Sequence, residues 1–309
     1  MSGHSENQIA PDRMTRRTAM LSTTAMTGAF ISYAEAGVTS PSFVQTHSDV
    51  PMLPIVDTNV SLFEWPFRRL PLAATSLLVE RLRSLGVVEA WAGTFEGVLH
   101  RDLAAANQRL AEACAEHSVL VPIGSVNPAL PGWQSDLRRC AEVHRMPGIR
   151  LHPGYHGYSL EGPEFRELLQ LAVEHQLFVQ VAISLEDNRT QPQLLQIADV
   201  ELNGLPAAMD GLHGLRLQLL NHRFRGTLPV ALREMEGLFL DTARVDGTDS
   251  VPLLLRAMPA GRVMLGSHAP FLIPEAAVIR VHESDQLSAA ELQQVYSVNA
   301  QQFRSGAIA

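Results

Sequence analysis

The chain contains no lysine: all 24 of its basic side chains are arginine. That excludes Schiff-base chemistry, a phosphate-loop lysine and a carboxylated lysine bridging two metals. Arginine stays protonated, so it clamps anions well and relays protons poorly. Cysteine is almost as scarce. Cys114 and Cys140 are the only two, which excludes a disulfide framework and a four-cysteine zinc site. Each falls in a helical stretch and reads as a small buried apolar residue. The formal net charge of −8 speaks against a nucleic-acid partner. No repeat of 20–50 residues is visible, so a solenoid is not expected. With 309 residues, 46% of them hydrophobic, the chain is long enough to bury one large core.

Long apolar runs are also missing. The best is Thr18–Tyr33, which small residues dilute and which is too short for a confident membrane span. Thr15-Arg16-Arg17 precedes it, and Ala34-Glu35-Ala36 follows as a small-x-small cleavage site. Together they resemble a twin-arginine export signal over residues 1–36, removed on the way to the periplasm and leaving no stable membrane span. A plain tail is the alternative. Residues 37–54 read as an irregular leader, and residues 55–309 as the folded domain.

From Ile55 onward, strand-like apolar runs alternate with amphipathic helical stretches. The pattern predicts strands over Ile55–Ser61, Val87–Ala92, Val119–Ser125, the segment opening at Gly148, Phe178–Ile183, Leu215–Asn221, Phe239–Asp241 and Arg262–Gly266. Between them it predicts helices such as Arg101–His117, Pro163–His175 (with proline in the first turn) and a helical segment over Pro192–Glu201. Eight strand-then-helix units point to a single α/β domain, a (β/α)8 TIM barrel. A doubly wound open sheet is the runner-up, but no glycine-rich phosphate loop follows the first strand.

Sites of such barrels form where the strands end. Alternation puts Asp57, Asn59 and Ser61 on one face of strand one. Strand two leads into Trp91, Phe95, Glu96 and His100. Strand four, Gly148-Ile149-Arg150-Leu151-His152-Pro153-Gly154-Tyr155-His156, carries an arginine and two histidines where a plain core strand would carry valines. Strand five leads to Ser184 and Glu186, strand six to His222, strand seven to Asp241 and Arg244, and strand eight to His268. His152, His222 and His268 come from even-numbered strands, which share layers. They are candidates for a three-histidine site holding one divalent metal, zinc foremost; a metal-free hydrogen-bonded cluster is the alternative. Asp241 or Glu186 is then the candidate base for an activated water. Asn59, Trp91, His100, Arg150, His156, Glu186 and Arg244 are the candidate substrate-binding residues. Trp65-Pro66-Phe67-Arg68-Arg69, after strand one, reads either as a lid or, more plainly, as a surface turn.

Six segments in order carry a family resemblance: Ile55-Val56-Asp57-Thr58-Asn59-Val60-Ser61, Gly148-Ile149-Arg150-Leu151-His152-Pro153, Leu220-Asn221-His222, Phe239-Leu240-Asp241-Thr242, Met264-Leu265-Gly266-Ser267-His268-Ala269-Pro270 and Asn299-Ala300-Gln301-Gln302-Phe303. At these the chain resembles the amidohydrolase superfamily, in its amidohydrolase-related branch of hydrolases, lactonases and decarboxylases. The resemblance implies a metal-bearing barrel, but the chain departs from it at the ligands. Asn59 and Ser61 stand where the family opens with two histidines, His268 stands for the strand-eight aspartate, and strand five offers no histidine. Only His222 carries over. The implied function is hydrolysis of a small-molecule ester, lactone or amide, with a rearranged metal site or none. The alternatives are a decarboxylase-type lyase and a noncatalytic barrel for a small anionic or sugar-like ligand. A homo-oligomer is compatible with the fold.

Overall fold

The computed structural model describes residues 53–282 and 285–307. The export signal and most of the leader lie outside the described residues. Nine strand segments are present: β1 (Ile55–Leu62), β2 (Val87–Thr94), β3 (Leu120–Pro122), β4 (Gly124–Ser125), β5 (Gly148–Leu151), β6 (Phe178–Ala182), β7 (Leu217–Leu220), β8 (Leu238–Asp241) and β9 (Val263–Met264). Every pairing is parallel and between sequence neighbours. β3 and β4 are one strand interrupted at Ile123: the first piece pairs with β2 and the second with β5. Pro122, which has no N–H to give, sits at the break. The ends meet where the Thr58 N–H donates to Leu265 O and the Ser61 N–H to Ala269 O, both at 2.9 Å. This closes an eight-stranded barrel.

The helices cover the barrel for the usual reason, one apolar face each. Pro163–Glu174 buries Phe165, Leu168, Leu169 and Ala172, spaced three and four residues apart along one face. Leu103–Ala115 starts at Asp102, whose carboxylate accepts the Ala105 N–H at 3.0 Å and so caps the first turn. Residues 192–201, predicted helical, are irregular, and the helix in this region is Leu205–Met209. The Gln191 side chain accepts the Ile197 N–H at 2.8 Å and donates to Ile197 O at 3.1 Å. Those bonds take the backbone groups a helix would need.

Inside, the barrel is layered. At its floor Trp91, Phe178 and Phe239 pack with Phe303 from the C-terminal helix Asn299–Ser305, Trp91 stacking on Phe178 at 4.8 Å and on Phe303 at 5.8 Å. Above them lies a polar layer. Arg150 Nε donates to Gln180 Oε1 (2.9 Å), Gln180 Nε2 to Gln218 Oε1 (2.8 Å), and Gln218 Nε2 to Thr58 Oγ1 (2.8 Å). Strand alternation on β1 fails here. Its register shifts between Asp57 and Val60, a bulge, so Thr58 and Asn59 both meet partners across the barrel.

Candidate active site at the barrel mouth

Asn59 is the hub of the upper layer. Its Nδ2 donates to Asp241 Oδ2 at 2.7 Å and to Asn221 Oδ1 at 2.8 Å. The Asn221 N–H donates to Asp241 Oδ1 at 3.0 Å, and its Nδ2 to Ser184 O at 2.7 Å. Asp57 accepts N–H bonds from Asn59 (3.1 Å) and Ser267 (2.9 Å). Both carboxylates are therefore committed to internal bonds. Burial pushes Asp57 and Asp241 up to about 6, since it penalises the charged form.

Asn221 holds its place through a left-handed backbone, φ +62°, a conformation asparagine tolerates better than most residues. That turn sends the Asn221 side chain inward and leaves the next residue outside. His222 lines a separate cleft with Asp199, Val200, Pro206 and Arg225. The expected convergence of His222 with His152 and His268 does not occur.

Arg150 also differs from its expected part. It is 2% exposed, and its guanidinium donates to Val60 O (2.8 Å), Trp91 O (3.1 Å) and Gln180. It ties β1, β2 and β6 to β5 from within the wall and has no fork left for a substrate. Trp91 lies in the floor, because β2 runs on to Thr94 and leaves Trp91 mid-strand. His100 is exposed beside Glu96 and Arg109 on the outer surface. Neither reaches the mouth.

What does reach it is imidazole. His152 is 3% exposed, and neither ring nitrogen has a partner. His268 is 1% exposed and held by a left-handed backbone, φ +57°. Its Nε2 lies 2.7 Å from Leu185 O, which requires Nε2 to carry the proton and leaves Nδ1, buried and unpartnered, as the acceptor. His156 sits 5.9 Å from His152, ring to ring, with Nε2 on Gly97 O at 3.1 Å. Burial pushes His268 down to about 3 and His156 to about 4. It pushes His152 well below its ordinary range, helped by the fields of His156, Arg150 and His268. All three are neutral near pH 7.

The segment after β1 is anchored inward and is not a plain surface turn. Trp65 is buried and packs against Phe95 (5.4 Å), Phe271 (5.4 Å) and Tyr155 (5.9 Å). Glu186 latches it, accepting from Trp65 Nε1 at 3.1 Å and Arg68 Nε at 2.8 Å. The cavity beside His152, lined by Tyr155, Ser184, Gln191 and Ile197, is about 10 Å³, room for one water. Glu186, a candidate substrate-binding residue, is engaged in the latch.

These shifts fix how the fold responds to acid. The histidines, lowered from 6.5, contribute stability that is present above about pH 6.5 and lost as pH falls toward their folded values. The two aspartates act oppositely: their contribution is present below about pH 4 and lost as pH rises through about 6. Three histidines with the larger displacements outweigh two carboxylates. The melting temperature is expected to fall between pH 7 and 4.5, with a shallower slope in His268→Gln. A melting temperature that rises on acidification would overturn this assignment.

The sequence profile of the Amidohydrolase family matches residues 67–208. The match covers a little under half of the chain and is a likeness over that stretch. Solved structures share the barrel. 2,6-Dihydroxybenzoate decarboxylase from Rhizobium aligns with a TM-score of 0.64 at 13% identity, over 82% of this chain and 99% of that one. A dihydroxybenzoic acid decarboxylase from Polaromonas sp. JS666, with bound manganese and the inhibitor 2-nitroresorcinol, gives 0.65 at 12%, over 84% and 98%. IDCase from Metarhizium anisopliae gives 0.61 at 12%, over 82% and 98%. Identities this low speak for the fold alone. No curated protein matches the chain.

The described residues of the barrel lack a donor set that fits a divalent ion. Among the described residues, no three histidine, cysteine, aspartate or glutamate side chains converge as a metal-binding group. Asn59 turns N–H groups, which carry no lone pair to share, toward Asp241 and Asn221. The positive charge of Arg150 lies within the field of both carboxylates. His152, His222 and His268 accordingly do not form the expected three-histidine metal set.

Proposed function

We propose that this barrel is a decarboxylase-type lyase acting on a small aromatic carboxylic acid, with imidazole rather than a bound metal moving the proton. The observation that carries the reading is the pair His152 and His268. Both are buried, neutral near pH 7, and carry ring nitrogens with no protein partner. An unpartnered buried polar group costs about 1–3 kcal/mol, which a ligand supplying the missing bonds recovers. The aromatic wall supports a ring-shaped substrate: Phe271 lies 5.1 Å from His268, 4.8 Å from Phe95 and 5.4 Å from Trp65. The decarboxylase names of structurally similar barrels point the same way.

In decarboxylation the bond between ring carbon and carboxylate breaks, its electron pair stays on the ring carbon, and carbon dioxide leaves. The ring carbon then takes a proton. Because His152 is neutral, it is the proposed proton relay: one nitrogen gives its proton to the ring carbon as the other takes a proton from a water, which is left as hydroxide. His268 Nδ1 is the proposed acceptor for a hydroxyl on the ring. The burial of both rings keeps bulk water from them during the step. Hydrolysis of an ester, lactone or amide ranks second. It needs a base for water, and Asp57 and Asp241 are already engaged.

The test is a panel of hydroxybenzoates, lactones and aryl esters offered to purified protein before and after exhaustive chelation. Carbon dioxide release from an aromatic acid, unchanged by chelation, is expected. Turnover of lactones or esters alone would replace lyase by hydrolase, ligand-induced stabilisation without turnover would leave a binding protein, and activity restored only by added metal would refute the imidazole route.

A further inference from the structure

A ligand that meets His152 needs more room than the closed cavity gives. That cavity is about 10 Å³, against about 300–1,000 Å³ for an ordinary small-molecule site. One wall therefore has to move. Two sides belong to the barrel. His152, Gly154 and Tyr155 follow directly on β5, and Ala182 and Ile183 end β6 or continue it. Beyond them, Ser184 O is held by Asn221 Nδ2 at 2.7 Å and Leu185 O by His268 Nε2 at 2.7 Å. The rest of the lining is Gln191, Ile197, Ala198 and Val200, all from one irregular segment.

That segment is a compact loop bonded chiefly to itself. Besides the Gln191 bonds to Ile197, Gln196 Nε2 donates to Gln191 O (3.2 Å) and Pro192 O (3.0 Å), and Thr190 donates to Asp187 O through both N–H and Oγ1 (2.8 Å each). Its fastenings to the barrel are fewer. The Val200 N–H donates to Ile183 O at 2.9 Å. At the neck a single guanidinium stands between the two ends of the loop: Arg223, after β7, lies 3.7 Å from Asp187 and 3.9 Å from Asp199. The inner face sits tightly on the strand end, since a Cβ built on Gly154 would lie 2.9 Å from Ile197 Cγ2 and 3.4 Å from Ala198 O. On the outer side Leu194 is fully exposed.

We propose that residues 187–199 are a cap that swings as one body to admit ligand to His152, with Arg223 clasping its neck in the closed state. The inference rests on His152 as the point where ligand meets protein, and not on the reaction that follows. A loop whose hydrogen bonds are internal lifts without breaking them, whereas a strand or helix of the wall would have to give up its ladder.

Labelling of the full-length protein with diethyl pyrocarbonate reads the cap without any substrate. The reagent takes neutral imidazole nitrogen, and peptide mass spectrometry places the label. In the parent, His152 is expected to label much more slowly than exposed His100. Arg223→Gln and Gln191→Ala should each speed labelling at His152 by about two- to fivefold, the scale of an exposed ion pair or a net hydrogen bond. His100 and the buried thiols of Cys114 and Cys140 should keep their rates. A Gly154→Cys, Ile197→Cys pair should act oppositely. Ile197 Cβ is one bond beyond Cγ2 and so within about 4.5 Å of the new Cβ, in disulfide range. Oxidation should stop labelling at His152, and reduction should restore it. Labelling that is equally fast with the disulfide closed, or unchanged in both release variants, would overturn the cap. So would an acceleration matched at Cys140, which would belong to the whole fold. A guarded His152 with no carbon dioxide from any acid removes the lyase and leaves the cap. Full turnover in the oxidised cross-linked protein removes the cap and leaves the lyase.

Discussion

Arg150→Leu is expected to cost about 3–5 kcal/mol, the usual effect of removing one member of a buried charge network. Domains hold about 5–15 kcal/mol in total, so this variant loses a large part of its stability or fails to fold. The cause is countable. Leucine leaves Val60 O, Trp91 O and Gln180 Oε1 without their donor inside the barrel, and each stranded group costs about 1–3 kcal/mol. It also removes a charge that helps hold Asp57 ionised. Arg150→Lys should not rescue it, because an ammonium cannot reach three acceptors spread like a guanidinium fork. A gentler approach comes from Gly93: a Cβ built there would lie 2.7 Å from Arg150 Nη1. Gly93→Ala should therefore destabilise by about 1–3 kcal/mol through overpacking. Urea unfolding midpoints measure all three. A folded Arg150→Leu with the parent midpoint would remove Arg150 from the scaffold.

His152→Leu should separate activity from stability. General acid–base groups contribute about 10²–10⁴-fold to turnover, and a loss of that order is expected. The unfolding midpoint should meanwhile rise, because leucine removes two buried ring nitrogens that have no partner and whose burial costs about 1–3 kcal/mol. A residue that served the fold would behave in the opposite way. Activity and midpoint falling together would therefore make His152 a packing residue, and retained activity would move the proton step elsewhere.

The barrel itself was legible because parallel strands and covering helices leave coarse periodicities that survive local irregularity. The positions of His152, Asp241 and His268 in the barrel were legible too, since each lies at or a few residues beyond a strand's end. Two of the differences share one cause: alternation fails where the backbone breaks it. The bulge on β1 put Thr58 and Asn59 both into the barrel. The left-handed Asn221 exchanged places with His222. An asparagine at a strand end was the one available sign, because it accepts that backbone where most residues resist it. Trp91 was assigned to the mouth because β2 was expected to stop at Ala92, two residues short of its end. The latch of Trp65 and Arg68 on Glu186 spans about 120 residues of chain, and no local pattern announces it.

The Asn59–Arg150 centre has a consequence for how the protein meets dilution. A barrel that borrows its central charge from a dissolved ion gains stability that grows with the ion's free concentration relative to its dissociation constant. It is weakened wherever that ion is scarce. Here the charge is part of the chain, present once per molecule at any concentration, so the ordering of the mouth becomes a property of folding alone. Supply, competition from other ions and loss on purification drop out of its thermodynamics.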